Sequence, residues 1–316
     1  MSHKINIISK MNGVGLDQSA RLLAQCLSQH GFDIEISQHH RVKSARRYLQ
    51  RNKTFDANIF MERVHPAWLG MAHKNFLIPN QERFPKRHIK YLKYIDSIFT
   101  KTRHANEIFS ALFDDVEYIG FTSNDMSTTD KHSPNKKFLH FAGKSALKGT
   151  DTIVNVWKKH PEWPELTILQ HRKNIEPTQL PNVNHILNKL ELEQLKTILN
   201  EHTIHLCTST AEGWGHYIVE AMSCSALVVT TDGPPMNELI TDDRGMLVET
   251  QLHKDRHLGI EFFIDESAFE KTIAKINSLN ATDILKLGEN ARKWFCINQE
   301  QFAKRLTNAI SDRLGS

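Results

Sequence analysis

Several absences narrow the field before any motif is considered. No apolar run in the 316 residues approaches the roughly 20 that a membrane-spanning helix needs. The N-terminus, Met1-Ser2-His3-Lys4-Ile5-Asn6-Ile7-Ile8, offers only a few apolar residues before Ser9-Lys10, which reads as a first strand and not as a signal peptide. Cysteine is scarce, and Cys26, Cys207, Cys224 and Cys296 are scattered without C-x-x-C spacing. Reduced, mostly buried thiols in a cytoplasmic protein are therefore expected, and a structural zinc site is not. The histidines, His39-His40 included, show no metal-ligand spacing on a shared helix face, so no metal is expected. No internal repeat, low-complexity segment or nucleic-acid recognition motif is present.

What remains is a soluble globular composition, 40% hydrophobic and 24% charged, at a length suited to two domains. The net charge of +4 is unevenly spread. Residues 1–125 carry 18 Lys and Arg against 12 Asp and Glu, and the remainder carries 22 against 24. The excess concentrates between Arg41 and Arg51 and between Arg83 and Lys93. Such runs are either solvated helix faces or a surface that meets anionic membrane or an anionic acceptor.

Short apolar runs alternate with helical patterns along the chain. Strands are expected at residues 5–8, 33–37, 57–61, 75–78, 97–101 and 116–119, with helices at 17–30, near 85–93 and at 102–113. Residues 122–137 are rich in Ser, Asn, Asp, Thr, Lys and Pro and read as a linker. A second series follows: strands at 138–142, 166–170, 183–187, 204–208 and 226–230, helices at 152–159, 191–200 and 216–224, then a helical tail from 266 to 314. This alternation implies α/β architecture with two doubly wound, Rossmann-like domains. The expected division is 1–125, a linker at 126–137, and 138–316, with the last helix returning to the first domain. Ligands in such sheets lie beyond the carboxyl ends of the strands, here in a cleft between the two domains.

The most informative stretch runs from Ser209 to Met222, after an apolar strand and into a helix. Gly213 and Gly215 let backbone approach a ligand closely, and the free amides of the first helical turn favour an anion such as phosphate. Glu212 in the loop and Glu220 in the helix offer two carboxylates to one elongated ligand. The run Glu212-Gly213-Trp214-Gly215, followed by Glu220-Ala221-Met222, resembles the E-G-[FW]-G-x4-E-A-M segment of retaining GT-B glycosyltransferases, especially glycosyltransferase family 4. Val228-Val229-Thr230-Thr231, Asp232-Gly233-Pro234-Pro235, Glu238-Leu239-Ile240 and Gly245-Met246-Leu247-Val248 continue the resemblance in order. A second loop, Gly143-Lys144-Ser145-Ala146-Leu147-Lys148-Gly149, is similar to that family's G-R-x3-K-G, with Lys148 at the lysine and Lys144 at the arginine. Ser225 stands where the family often has glycine, and His216-Tyr217 where small or aliphatic residues are frequent.

The resemblance implies the GT-B fold and transfer of a sugar from a nucleoside diphosphate with retention at the anomeric carbon. No cofactor is required beyond that co-substrate. It assigns Lys144, Ser145 and Lys148 to the donor diphosphate, with Gly213, Trp214 and Gly215 beside it. Glu220 falls to the ribose, Glu212 to the sugar hydroxyls, and Glu212 and Lys148 are the catalytic pair. In the first half, Asn12-Gly13-Val14-Gly15 resembles the family's other glycine loop, putting Gly15 near the donor phosphate. His65, Asn80 and Glu82 follow expected strand ends and are acceptor-side candidates. The implied acceptor is a surface glycan or lipid-linked glycan, met in the cytoplasm or, through the basic first half, peripherally at the inner membrane face. Two alternatives stay open: a catalytically silent, sugar-nucleotide-binding partner subunit, and a same-fold nucleotide-sugar epimerase.

Overall fold

The computed structural model describes residues 2–10, 15–39, 53–128 and 136–315. The basic run 41–51, residues 12–14 of the first glycine loop and most of the expected linker lie outside the described residues. The chain divides into two compact units. Unit 1 holds residues 1–123, 255–260 and 298–316, and unit 2 holds 124–254 and 261–297.

Unit 1 is built on six parallel strands in the order β2-β1-β3-β4-β5-β6: β1 Lys4–Ser9, β2 Asp33–Gln38, β3 Phe55–Glu62, β4 Ala72–Pro79, β5 Ser97–Thr100 and β6 Val116–Tyr118. The central strands are covered on both faces, so Ile5, Ile7, Ile8, Ala57, Ile59, Phe60 and Met61 are all buried. Helix Gly15–Gln29 buries Leu16, Ala20, Leu23 and Leu27 on one stripe. An asparagine ladder crosses the middle of the sheet. Asn6 Nδ2 donates to Asn58 Oδ1 at 3.2 Å, and Asn58 Nδ2 donates to Asn75 Oδ1 at 2.9 Å and to the Trp68 carbonyl at 2.8 Å. Each buried amide makes at least one bond in this ladder, which offsets the cost of burying it, although Asn6 Oδ1 has no partner among the described residues. At the far edge, Arg313 clamps β6 through Asp115 and Glu117, both at 2.6 Å.

Residues Lys86–Tyr94 form a 3-10 helix, not an α-helix, and only Leu92 is buried. Lys86, Arg87, Lys90 and Lys93 crowd like charges at helical spacings, which disfavours a regular α-helix.

Unit 2 repeats the plan in the order β12-β11-β10-β7-β8-β9: β7 Phe138–Gly143, β8 Leu166–Gln170, β9 Val183–Ile186, β10 Ile204–Cys207, β11 Leu227–Thr231 and β12 Gly245–Val248. Its core joins strand residues Phe138, Ile168, Leu206 and Val229 to Trp157 from one helix and Phe269 and Ile273 from another. Residues 124–128 already belong to this unit: Met126 is buried, its N–H donates to Ser223 Oγ at 2.9 Å, and Asn200 Nδ2 donates to its carbonyl at 2.7 Å. The hairpin β13 Thr250–Arg256 and β14 Gly259–Ile264 contributes residues 255–260 to unit 1. The 34-residue helix Ala281–Leu314 passes to unit 1 at residue 298.

Candidate active site

In unit 2 the polar side chains gather at the carboxyl end of β10, where a parallel sheet presents ligands. The loop 143–149 is laced onto the residues that follow β10. Thr210 N–H donates to the Leu147 carbonyl at 2.8 Å, and Thr208 Oγ1 donates to the Lys148 carbonyl at 3.0 Å. Gly149 makes the close approach possible: its φ is +69°, and a Cβ there would lie 2.5 Å from the Thr208 carbonyl oxygen. Lys148 is thereby aimed at the loop that opens the next helix.

That aim is met by three groups. Lys148 Nζ pairs with Glu212 Oε1 at 2.6 Å, and it stands 3.2 Å from the centroid of the Tyr217 ring. Both members of the ion pair are more than four-fifths buried, with side-chain exposures of 14% and 17%. Ser209 Oγ donates to Glu212 Oε1 at 2.6 Å, and Ser209 N–H donates to the Tyr217 hydroxyl at 3.0 Å. Because the serine proton is committed to Glu212, the 2.6 Å contact between the two hydroxyls has Tyr217 as donor. A single relay thus runs from Tyr217 through Ser209 to Glu212 and Lys148. Burial raises the Tyr217 phenol well above its ordinary range, so it stays protonated and fit to donate.

The helix His216–Ser223 starts on Gly215, whose φ is +97° and whose missing Cβ leaves room for Ile218 and Leu239. Glu220 lies in this helix and is buried. The buried thiol of Cys207 is pushed up chiefly by burial, and it also feels Lys148, Glu212 and Glu220. All three charged groups therefore act on the thiol that ends β10. Trp214 is buried at 4% exposure. Lys144 stands apart from this cluster. It is exposed and lies near His171, whose imidazole is held below its usual range by burial and by the lysine's charge. Ser145 sits between them, its Oγ accepting from Leu147 N–H at 3.1 Å and so turning the loop. Beside the loop is a groove of about 560 Å³, lined in part by Ser145, Gly149, Thr150, Arg172, Thr208 and Thr210.

His140 supports the loop from below. Its Nδ1 lies 2.8 Å from the Leu206 carbonyl, and its Nε2 lies 2.9 Å from Thr150 Oγ1. Nδ1 carries the proton toward the carbonyl, and Nε2 accepts from the threonine. Burial lowers its pKa to about 4.

In unit 1 the expected acceptor-side residues follow the carboxyl ends of β3 and β4. His65 precedes the 3-10 turn Pro66–Met71, its ring 5.0 Å from that of His39. Its pKa is lowered to about 3 by burial and by neighbouring positive charge. Asn80 Oδ1 accepts from the ammonium of Lys101, a buried lysine that also faces the Phe121 ring at 5.4 Å. Glu82 is buried at 5% exposure, and Gly259 of the hairpin packs against its backbone. Gly15 opens the first helix and accepts from Ser19 Oγ at 2.9 Å.

Sequence and fold comparisons point the same way. Residues 169–294 match the family model for glycosyl transferases group 1. No curated protein sequence matches the chain. Sucrose-phosphate synthase from Thermosynechococcus elongatus shares the fold with a TM-score of 0.76 at 12% identity over 99% of both chains. HepE from Anabaena, in complex with UDP and glucose, gives 0.70 at 14% over 99% of both. A glycosyltransferase from Rickettsia africae gives 0.71 at 13% over 98% of both. The segment from 169 to 294 is similar to glycosyl transferases group 1, and the fold is GT-B.

The group 1 segment contains Glu212 and Glu220 and excludes loop 143–149, so the lysine pair rests on geometry and on its own motif. Both departures from the family pattern have structural counterparts. Ser225 adopts φ +57°, the left-handed conformation that glycine takes without strain. Tyr217 replaces an aliphatic residue with a ring that seats Lys148 and a hydroxyl that anchors Ser209. Ser209 and Tyr217 are the site residues that motif reasoning passed over. The available signal was a hydroxyl three residues before Glu212 and a phenol five residues after it, in the first turn of the helix.

Proposed function

We propose that the chain transfers a hexose from a nucleoside diphosphate sugar to a glycan or lipid-linked acceptor in the assembly of a surface polysaccharide or glycoconjugate, with retention of anomeric configuration. The observation that carries this reading is Lys148, held between the Glu212 carboxylate and the Tyr217 ring at the mouth of a glycine-opened helix. An ammonium fixed there is suited to the charge that develops on a departing diphosphate, and fixed charges stabilise a transition state without reorganisation. Lys144 and Ser145 add contacts to the same phosphates, with the backbone at Gly213, Gly215 and Gly15. Glu220 holds the ribose hydroxyls, and Glu212 holds those of the transferred sugar.

In the reaction, the bond between the anomeric carbon and the β-phosphate oxygen breaks while the acceptor oxygen bonds to the same carbon. The acceptor's proton passes to the departing phosphate oxygen, so no protein base is required. His65, Asn80 and Glu82 are proposed on the acceptor side, with Glu82 acting through the backbone it positions because its side chain is buried. HepE's complex with UDP and glucose supports a uridine nucleotide as the first donor to try.

The test is a transfer assay with nucleotide sugars and a mixed glycan and lipid-linked acceptor pool, with product configuration read by NMR. An axially configured product from an axially configured donor is expected. Inversion would refute the mechanism, and saturable donor binding with neither transfer nor hydrolysis would favour a silent partner subunit.

A further inference from the structure

Unit 1 concentrates positive charge at the carboxyl ends of β3 and β4 in a way that the donor chemistry does not use. Glu62 ends β3 in the left-handed conformation, φ +68°, and turns the chain so that Arg63 and His65 follow directly. Asn80, which starts the turn after β4, is bonded back to the Glu62 carbonyl, so the two strand ends are adjacent. Arg83 closes the 3-10 turn Gln81–Arg83, and Arg87, His88 and Lys90 follow in Lys86–Tyr94. The hairpin tip docks on the same turn: Leu258 N–H donates to the Gln81 carbonyl at 3.2 Å, and Gly259 sits against Gln81 and Glu82. That docking brings Arg256 and His257 to the group.

Charge accounting on this surface is one-sided. Glu62 pairs with Arg63. Arg83 and Arg87 are exposed and have no carboxylate partner among the described residues. The histidines report the resulting field. His257 is held below its usual pKa by its partial burial and by Arg256, Arg63, Arg83 and Arg87, and His88 by burial and by Arg63, Arg87 and Lys90. Both imidazoles are thus neutral at pH 7, and His88 Nδ1 is buried with no hydrogen-bond partner. Arg83 and Arg87, without a carboxylate partner among the described residues, cost electrostatic repulsion in the empty protein, which a multivalent oxyanion relieves, and guanidinium forks match phosphate oxygens.

We infer that Arg63, Arg83, Arg87 and Arg256, with the imidazoles of His88 and His257, form a binding site for a phosphate ester carried by the acceptor. The site is read from unit 1 alone, and its assignment to the acceptor rests on the transferase reading. A phosphate ester reaches it either on a soluble phosphorylated glycan or on a phospholipid-type carrier.

The experiment compares the full chain with an Arg83→Glu/Arg87→Glu variant, in which both altered side chains are solvent-exposed. Two probes are used: mannose 6-phosphate, followed by NMR of the histidine ring protons, and phosphatidylcholine vesicles with and without phosphatidylglycerol, followed by co-sedimentation. UDP-sugar binding is measured on the same samples. Binding of at least one phosphate probe is expected, with a rise in the His88 and His257 pKa values on binding. The variant should weaken it by at least about tenfold, the scale of losing one charged hydrogen bond, with UDP-sugar binding unchanged. Whichever probe binds identifies the source. The inference is overturned if neither probe binds the wild type, if the variant binds as well as the wild type, or if the variant also loses the UDP-sugar. In the last case the arginines serve the donor. Absence of UDP-sugar binding in the wild type would sink the transferase reading and leave the phosphate site to stand or fall on its own probes.

Discussion

Replacing Lys148 by methionine removes one charge while nearly conserving side-chain length, and the site geometry sets what should follow. In the resting protein the ammonium directs one proton to Glu212 at 2.6 Å and lies over the Tyr217 ring, which leaves a further donor direction for an arriving phosphate oxygen. Losing a preorganised charge aimed at the leaving group costs about 3–4 kcal/mol of transition-state stabilisation, so kcat should fall about 10²- to 10³-fold. The fold should suffer less. Glu212 keeps its bond from Ser209, and leaving its carboxylate short of one partner costs about 1–3 kcal/mol. Steady-state transfer kinetics, thermal unfolding and donor titration on the same preparation separate these effects. A variant that remains folded, binds donor and turns over within about twofold of wild type would refute the role given to Lys148.

Three further outcomes are expected. Tyr217→Phe keeps the ring under Lys148 and removes the hydroxyl that Ser209 N–H donates to, so thermal denaturation should show a loss of about 1–3 kcal/mol. Its kcat should fall well short of the Lys148→Met loss, and equal losses would mean the relay matters more than the charge. His140 has a folded pKa of about 4 against 6.5 for the free side chain, so the unfolded chain binds the extra proton between those values. Its stabilising contribution is therefore complete above pH 6.5 and is lost as pH falls toward 4, by about 3 kcal/mol in all. Urea titrations across that range should show the slope in wild type and little of it in His140→Asn. Asn58→Ala removes the bonds to Asn6 Nδ2, Asn75 Oδ1 and the Trp68 carbonyl together, and it should destabilise unit 1 by about 2–4 kcal/mol in chemical denaturation without changing donor affinity.

The central strands of both sheets were legible because they are apolar runs between turn residues, and burial on both faces of a parallel sheet demands such runs. The glycine loop after β10 was legible for a related reason. Glycine at 213 and 215 and glutamate at 212 and 220 are unusual choices, and each answers to a local backbone or charge requirement. The polar strand β13 reads Thr-Gln-Leu-His-Lys-Asp-Arg, almost wholly exposed, and carries no alternation to find. Local sequence also gives no sign that Tyr217 underlies Lys148, since the two lie far apart in the chain and meet only when loop 143–149 is laced to Thr208 and Thr210. The burial of Trp214 and Glu82 is likewise a product of packing, in the second case by a hairpin tip distant in sequence. Lys101 escaped notice because a lysine at a strand end is ordinarily solvated, whereas here it is buried against Asn80 and Phe121.

The central claim is that the Lys148–Glu212–Glu220 cluster of unit 2 holds a nucleoside diphosphate sugar. Calorimetric titration of the wild type and Glu220→Ala with UDP, GDP, ADP and CMP sugars tests it most directly. The account predicts saturable binding of one nucleotide series by the wild type and its loss or severe weakening in the variant. Absence of binding by every donor, or equal binding by the two proteins, would contradict it.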